Sequence, residues 1–335
     1  MDAIAVAQAL SEIGYLLRQN PDEVYRARAF SGAAWSIALR RPDLEALNTA
    51  DELTTIPGVG AGIAKVLSDL IATGGSRYLD RLRTDSGQPA RDDESDIDLA
   101  KYQGDLHSHT NWSDGRATML EMAVAAKARG YRYLGVTDHS PRIKVVNGLD
   151  AGRLLAQSLE MAEVQKQVPG LTLLQGIEVD ILEDGALDLP DQVLEILDVV
   201  IASPHVKLRQ EPTSMTERML RAVSNPHVDW IGHPTGRRPG SREGATYDFE
   251  LVFKEAAKHG VALEIDCDPA RMDLSPEMAR LALECGCDFA MSGDAHAPDE
   301  FAYVPMAAWM ARRAGIPMSR ILNFNLDGRF KVTSN

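Results

Sequence analysis

Six short motifs that place histidine or a carboxylate at the end of an apolar run constrain this chain more than any other feature. They are Asp105-Leu106-His107-Ser108-His109, Thr137-Asp138-His139, Gly176-Ile177-Glu178, Ser203-Pro204-His205, Gly232-His233-Pro234 and Gly293-Asp294-Ala295-His296. Neutral imidazole and carboxylate are ligands that suit zinc, iron and manganese. One such motif arises easily by chance as a structural or surface histidine. Six with the same order predict a metal site assembled from several strand ends.

The composition is that of an ordinary globular protein. The 335 residues suit one large domain and one small domain, and 44% of them are hydrophobic and 25% charged. The sequence predicts no membrane span, and the start Met1-Asp2-Ala3-Ile4 lacks the basic residues of a signal peptide. The three cysteines, Cys267, Cys285 and Cys287, are expected to be buried thiols in a reducing cytoplasm.

The negative charge is concentrated in one short segment. The net charge is −14, which over a uniform surface would disfavour binding to nucleic acid. Residues 1–84 carry nine Lys/Arg against ten Asp/Glu, residues 85–100 carry one against six, and the remainder carries 25 against 33. Because residues 85–100 also lack apolar periodicity, we expect an acidic linker there, between a domain at 1–84 and a domain at 101–335.

Residues 1–84 are predicted to form a small all-α domain. Apolar residues recur at helical spacing, beginning with Ile4, Ala7 and Leu10. Leu53–Lys65 then reads as a glycine-rich turn between two helices, which resembles the helix-hairpin-helix motif. Its glycines would let backbone N–H groups approach a DNA phosphate closely. The predicted DNA-binding residues are Gly58, Gly60, Gly62 and Lys65. The alternative, a helix pair that only packs, stays open because one cationic side chain alone follows the turn.

Residues 101–335 alternate between strand-like and helix-like segments. The strands are expected to end near His107, His139, Glu178, His205, His233, Asp268 and His296. Amphipathic stretches such as Met119 to Arg129 and Tyr247 to His259 lie between them. Seven such alternations predict an α/β fold with a parallel barrel rather than an open sheet.

The motifs of residues 101–335 resemble those of the PHP (polymerase and histidinol phosphatase) domain. They are Gly104-Asp105-Leu106-His107-Ser108-His109-Thr110 with Ser113-Asp114-Gly115, Gly135-Val136-Thr137-Asp138-His139-Ser140, Gly176-Ile177-Glu178-Val179, Ile231-Gly232-His233-Pro234 and Ser292-Gly293-Asp294-Ala295-His296. The resemblance implies a distorted (β/α)7 barrel with up to three divalent ions, zinc, manganese or iron.

Residues 1–84 are similar to the small helical N-terminal domain of family X DNA polymerases, including Tyr25-Arg26-Ala27-Arg28-Ala29-Phe30. In bacterial family X polymerases the polymerase core separates these two modules. A short acidic linker stands here instead, so we expect no nucleotide polymerisation.

The resemblance assigns nine metal ligands and leaves three other acidic positions to be interpreted. The ligands are His107, His109, Asp114, His139, Glu178, His205, His233, Asp294 and His296. Glu178 and Asp294 are assigned as the bridging, catalytic carboxylates. Asp105 and Asp138 are expected to orient imidazoles. Asp266 stands where the family usually has Asn, which leaves its role open. The two histidines outside the motifs are expected to be ordinary surface or helix-end residues; they are His227 and His259.

Cationic side chains follow several of the ligands. If the ligands lie at one rim, these residues would surround the same opening and attract a phosphorylated substrate. The predicted phosphate-binding residues are Arg142, Lys207, Arg237, Arg238 and Arg271. The alternative is that they are scattered loop charges.

Three functions remain compatible with the sequence. The first is a metal-dependent phosphoesterase that removes nucleotides or phosphate from DNA 3′ ends, with the hairpin domain delivering the DNA. The second is a small-molecule phosphomonoesterase such as a histidinol-phosphate phosphatase. The third is a non-catalytic DNA-bound scaffold, which the complete ligand set argues against.

Overall fold

The computed structural model describes residues 2–18, 20–85, 96–239, 242–268 and 271–325, and these form two compact units. The first contains the helices of residues 2–85, and the second contains all seven strands. The predicted acidic linker, 85–100, falls largely outside the described residues. The proposed domain bounds at 84 and 101 therefore remain a prediction.

Residues 2–85 of the first unit, as far as the structure describes them, contain five α-helices. They are α1 (Ala3–Arg18), α2 (Val24–Arg40), α3 (Leu44–Thr49), α4 (Ala61–Thr73) and α5 (Arg77–Asp85). Of the apolar positions predicted from helical spacing, Ala7 and Leu10 are buried and Ile4 is half-buried. Asp43 caps α3 by accepting a hydrogen bond from the backbone N–H of Ala46. Between α3 and α4 the chain turns at Gly58, whose φ of 83° favours glycine.

The second unit is a nearly closed parallel barrel. Its strands are β1 (Gly104–Asp105), β2 (Tyr133–Val136), β3 (Thr172–Asp180), β4 (Val199–Ser203), β5 (Trp230–Ile231), β6 (Ala262–Asp266) and β7 (Phe289–Ser292). Each strand pairs in parallel with the next in sequence order. Beyond β1 and β7, a parallel bridge between Ser108 and Ala295 joins the two ends of the sheet. The predicted barrel is thus confirmed.

Helices connect the strands and cover the barrel. They are α6 (Met119–Ala128), α7 (Ala151–Gln167), α8 (Asp191–Leu194), α9 (Pro212–Val223), α10 (Phe249–His259), α11 (Pro276–Glu284) and α12 (Val304–Ala314). Local sequence explains several starts. Thr118 and Glu121 form a capping box at α6, and Pro212 and Pro276 occupy first-turn positions that need no N–H donor.

The barrel interior is closed by a compact apolar core. It contains Leu106, Tyr133, Leu174, Val199, Ile201, Trp230, Ala262, Ala290 and Leu322. Because this core fills the barrel, ligand chemistry is confined to the rim where the strands end. Within the described residues, no helix combines the length and apolar character needed to cross a membrane.

Candidate metal centre

All nine candidate ligands lie at or just beyond the carboxyl ends of the strands. His107, His109 and Asp114 follow β1, His139 follows β2, Glu178 lies in β3, His205 follows β4, His233 follows β5, and Asp294 and His296 follow β7. Because parallel strands end on the same side of a barrel, side chains distant in sequence converge at one rim. The structure therefore brings together the whole set assigned from sequence.

Glu178 lies at the centre of the cluster. One of its carboxylate oxygens is 2.8 Å from His233 Nε2 and 3.1 Å from His205 Nε2. The other is 2.8 Å from His139 Nδ1 and 3.5 Å from His107 Nε2. A carboxylate whose two oxygens face different imidazoles is placed to bridge two ions.

Asp294 is the second carboxylate within the cluster. Its Oδ1 lies 2.9 Å from His109 Nε2, 3.5 Å from His107 Nε2 and 3.7 Å from His296 Nδ1. The backbone of Asp294 has a φ of 44°, and that of His233 has a φ of 27°. Two non-glycine residues in the left-handed region among nine candidate ligands indicate backbone strain stored at this rim, as functional sites often show.

Asp114 and His296 mark the open side of the cluster. Asp114 Oδ1 lies 3.4 Å from His296 Nε2 and 3.5 Å from His139 Nε2. Their side chains are 31% and 23% exposed, whereas those of His107, His109 and Glu178 are fully buried. Solvent therefore reaches the cluster on the side of Asp114 and His296.

The loop that carries Asp114 closes tightly over the preceding ligands. A Cβ at Gly115 would lie 2.5 Å from the carbonyl oxygen of His109, so a side chain there would force the loop apart. The glycine of the Ser113-Asp114-Gly115 motif thus has a packing reason in this chain.

The ligand atoms form three overlapping groups, within each of which all atoms lie within 4.8 Å of one another. The groups are His109, Asp114, His139 and His296; His107, His109, Glu178 and Asp294; and His139, Glu178 and His205. Each pair of groups shares one residue. This arrangement fits neighbouring ions that share ligands, as expected from the sequence. His233 lies outside the groups but contacts Glu178.

Buried polar atoms without hydrogen bonds show that the cluster fits metal ions. Among the described residues, His107 Nε2, His109 Nδ1, His205 Nε2 and Glu178 Oε2 are buried and make no hydrogen bond. Unpaired buried polar atoms are costly, so a native structure needs a reason for four of them in one place. Divalent cations coordinated by these atoms supply that reason.

The electrostatics of the cluster favour ligand forms and attract a cation. Burial and the neighbouring His296 and His139 lower the pKa of His109 to about 3, which leaves its imidazole neutral. Burial raises the pKa of Glu178, but His205, His139 and His107 outweigh it and hold that pKa well below the usual range. The negative charge of Glu178 near the neutral imidazole of His109 is a donor set that zinc, manganese and iron accept.

Burial also lowers the pKa of His205, yet Glu178 and Asp180 outweigh it and raise that pKa to about 9. Asp114 and Asp294 raise the pKa of His296 to about 9 in the same way, against the lowering effect of burial. The carboxylates thus draw positive charge into the cluster, and bound ions would provide it in place of protons.

Two carboxylates that the sequence analysis missed orient the imidazoles. Glu264 Oε1 lies 2.7 Å from His107 Nδ1, and Asp180 Oδ1 lies 3.0 Å from His205 Nδ1. Both acids are fully buried strand residues. A signal for Asp180 was present, because it stands two residues after Glu178 and so shares its face of β3. Carboxylates in this position fix the ring orientation of ligating histidines.

The sequence-based roles of Asp105 and Asp138 were wrong. Asp105 accepts hydrogen bonds from the backbone N–H groups of His107 and Gly293, not from an imidazole. Asp138 accepts from the backbone and hydroxyl groups of Thr110 and Ser113 and from Gln157 Nε2. These acids therefore hold the loops that carry the ligands. Sequence adjacency to a histidine misled the assignment.

The remaining acidic, histidine and cysteine positions lie outside the cluster. Asp266 accepts a hydrogen bond from the backbone N–H of Asp268 and belongs to none of the three ligand groups. His259, in the last turn of α10, lies 3.0 Å from Glu255, as expected of a helix-end histidine. Cys267 and Cys287 are buried, whereas Cys285 is partly exposed, against expectation.

We expect Glu264→Gln to lower Mn²⁺ affinity about 10–100-fold, because an amide no longer strengthens His107 as a ligand. The substitution preserves shape, so circular dichroism should be unchanged. Isothermal titration of the metal-stripped protein with Mn²⁺ measures the effect, with Glu250→Gln on α10 as the exposed control. Equal affinity in Glu264→Gln and the parent would show that Glu264 does not act through His107.

The predicted phosphate-binding residues are not equally available. Arg142 and Lys207 are exposed, but the guanidinium of Arg142 lies 2.7 Å from Glu183. Arg237 donates a hydrogen bond to the carbonyl of Met272, and Arg271 is buried. Their role in phosphate binding remains a prediction. Arg238 is exposed, and its backbone exchanges two hydrogen bonds with that of Arg242.

The predicted DNA-binding residues line a cleft in the helical unit. Gly58, Gly60, Gly62 and Lys65 face a cavity of about 1210 Å³. Other cationic and aromatic side chains join them there, namely Arg26, Phe30, Arg77, Tyr78 and Arg81. Sequence reasoning missed the three arginines because they come from α2 and α5, outside the hairpin. Asp69 and Asp80 also line the cleft.

Two family models match the chain. The PHP domain matches residues 105–268, and a helix-hairpin-helix domain matches residues 1–76. The DNA polymerase/3′-5′ exonuclease PolX of Bacillus subtilis is 39% identical over 227 residues, which cover 68% of this chain and 40% of that enzyme. The chain thus spans less than half the length of that relative.

Shorter relatives also match. A probable phosphatase of Thermoanaerobacter pseudethanolicus is 31% identical over 240 residues, which cover 68% of this chain and 92% of that protein. Among solved structures, histidinol phosphate phosphatase of Lactococcus lactis, complexed with zinc, L-histidinol and phosphate, has 14% identity and a TM-score of 0.46. That match covers 64% of this chain and 94% of the phosphatase.

Proposed function

Because this chain belongs to the PHP family and carries a helix-hairpin-helix domain, we propose that it is a metal-dependent phosphoesterase that acts at DNA 3′ ends. The nine ligand positions would hold up to three divalent ions, zinc, manganese or iron. The helical domain, residues 1–84, would bind the DNA, and the barrel domain, residues 101–335, would cleave the phosphoester.

The observation that carries the proposal is the set of buried ligand atoms that face one another without hydrogen bonds. Divalent ions in such a cluster activate water, orient a phosphoester and stabilise the leaving oxygen. Glu178 and Asp294 supply fixed negative charge between the histidines, and their burial excludes competing bulk water. The exposed side at Asp114 and His296 admits the substrate.

Two possible nucleophiles beside the cluster, Ser108 and Cys267, donate hydrogen bonds to backbone carbonyls. Ser108 Oγ donates to the carbonyl of Gly135 at 2.6 Å, and the buried Cys267 donates to the carbonyl of Ser292. Neither has a base beside it that would make it a nucleophile. Hydrolysis by activated water therefore suits the described residues better than a covalent intermediate.

The choice of DNA as substrate is supported by the helical unit. A Cβ at Gly60 or Gly62 would meet no atom within 4 Å, so packing does not require glycine at either position. Gly60 also begins α4 without a side-chain cap. Bare N–H groups at a helix start, beside cationic side chains, suit a phosphate backbone. The Bacillus subtilis relative is named as a 3′-5′ exonuclease, which agrees with this choice.

A small-molecule phosphomonoesterase is the second candidate. It is favoured by relatives named as probable phosphatases, whose matches of 236 and 240 residues cover 87% and 92% of those proteins. Matches of that length approximate the barrel domain alone. The barrel would then act on metabolites such as histidinol phosphate.

Parallel assays decide between the two candidates. The Mn²⁺-loaded chain is incubated with 3′-labelled DNA, single-stranded and duplex, and with a panel of phosphorylated metabolites, and Glu178→Gln serves as the inactive control. Release of label with a kcat/KM well above that for every metabolite supports action on DNA. Efficient metabolite hydrolysis with intact DNA would instead establish the small-molecule phosphatase.

We expect Lys207→Ala to raise KM for phosphoesters about tenfold with little change in kcat, because a charged hydrogen bond to phosphate contributes about 1.5 kcal/mol. Lys207 is exposed two residues after His205 and has no ion pair with any residue in the described part of the chain. Steady-state kinetics at low salt measure the effect, and Lys127→Ala on α6 is the control. An unchanged KM would remove Lys207 from substrate binding.

A further inference from the structure

We infer that Arg218 is a positioning residue of the metal centre, which ties the loop that carries His205 to the end of β3, where its carboxylate partner Asp180 lies. The inference rests on the proposed metal binding by His205. Arg218 lies in α9, away from every ligand in the sequence, and none of the six ligand motifs contains it.

The guanidinium of Arg218 reaches both segments at once. One terminal nitrogen, Nη1, donates to the carbonyl of Val206 at 2.9 Å and to Gln210 Oε1 at 2.9 Å. The other, Nη2, donates to the carbonyl of Ile181. Val206 is the residue after His205, and Ile181 is the residue after Asp180. The side chain therefore holds the backbone one residue beyond each member of the His205–Asp180 pair.

The contact between His205 and Asp180 depends on the relative position of the two segments that Arg218 joins. Asp180 Oδ1 lies 3.0 Å from His205 Nδ1, and His205 Nε2 lies 3.1 Å from Glu178. Since β3 and β4 end at Asp180 and Ser203, His205 lies in a loop and has no ladder hydrogen bonds to hold it. A shift of either segment would turn the imidazole away from Glu178 and the shared ion.

The burial of Arg218 carries a free-energy cost, because its charged guanidinium is removed from water. The residue is 1% exposed, and burial lowers the pKa of its guanidinium. Its hydrogen bonds to loop carbonyls and Gln210 offset part of the cost of burying the charge, and the nearby negative charges of Glu183 and Asp180 offset more of it. An apolar residue would fill the same space without that electrostatic cost. The arginine at this position thus points to a loop geometry that needs a forked donor reaching two carbonyls at once.

A double-variant cycle with His205 tests the role. The metal-stripped parent, Arg218→Met, His205→Ala and the double variant are titrated with Mn²⁺, with thermal melting and circular dichroism as fold checks. Arg221→Met, on the exposed side of the same helix, is the control. Arg218→Met should weaken Mn²⁺ binding about tenfold or more, while the double variant should bind as His205→Ala does.

The outcomes separate this role from the proposed function. Parent-like Mn²⁺ affinity in Arg218→Met, or fully additive losses in the double variant, would overturn the role of Arg218. If Arg218→Met does not fold, Arg218→Lys replaces it under the same criteria, since lysine keeps the charge but cannot bridge both segments. A parent protein that binds Mn²⁺ but hydrolyses no phosphoester would refute the proposed function. The Mn²⁺ titrations of the variants would still test the role of Arg218 in that case.

Discussion

Glu178→Gln should reduce phosphoester hydrolysis more than about a hundredfold, because loss of an orienting partner alone costs about 10–100-fold and Glu178 is itself a predicted ligand. The glutamine keeps the shape of the side chain but removes the negative charge that faces His139, His205 and His233. We expect the loss in kcat, measured at saturating substrate and Mn²⁺, together with fewer ions bound per chain.

Measurements of folding serve as the control for this loss of activity. Circular dichroism and the melting temperature of metal-stripped Glu178→Gln should match or exceed those of the stripped parent, because a buried charge has been removed. Glu250→Gln, an exposed position on α10, should keep parental activity. Parental turnover by Glu178→Gln would exclude a bridging role for this residue.

Reversing two charges in the helical cleft should selectively impair turnover of long DNA. Lys65 and Arg77 are exposed and line the cleft. Changing both to glutamate should raise KM for long DNA at least tenfold. The plot of the logarithm of the DNA-binding constant against the logarithm of salt concentration should become less steep by about two, one for each lost phosphate contact. Hydrolysis of a small phosphoester should be unchanged, because the catalytic cluster lies in the other unit.

The matched control carries the same change in net charge outside the cleft. Lys127 and Arg129, exposed at the end of α6, are changed to glutamate together. Salt titrations of DNA turnover are compared for the two double variants and the parent. Equal effects of the two double variants would mean that the net charge of the protein, and not the cleft, governs DNA binding. No effect of either would favour the small-molecule phosphatase.

The barrel was predictable because its signals are local and repeated. Six of the seven strands lead into a candidate ligand, and amphipathic stretches between the strands became α6, α7, α9, α10 and α11. The helix α12, Val304–Ala314, was not predicted. It lies beyond the last ligand motif, where no alternation of strand and helix remained to guide the assignment.

The ligand positions were easier to assign than the groups that support them. The nine candidates come together because strand ends meet, a consequence of topology that the sequence order already implies. Glu264 and Asp180 escaped notice because a hydrogen bond to a distant imidazole leaves no mark in sequence spacing. For the same reason, Arg218 and the arginines of the cleft could be found only once the helices were in place.

The most direct test of metal-dependent hydrolysis is the turnover of chelator-stripped protein before and after addition of Mn²⁺. Elemental analysis establishes the metal content of each sample, and a phosphoester substrate reports the activity. We predict that the stripped chain is inactive and that activity returns as up to three ions bind per chain. Full activity in protein shown to contain no transition metal would contradict the account.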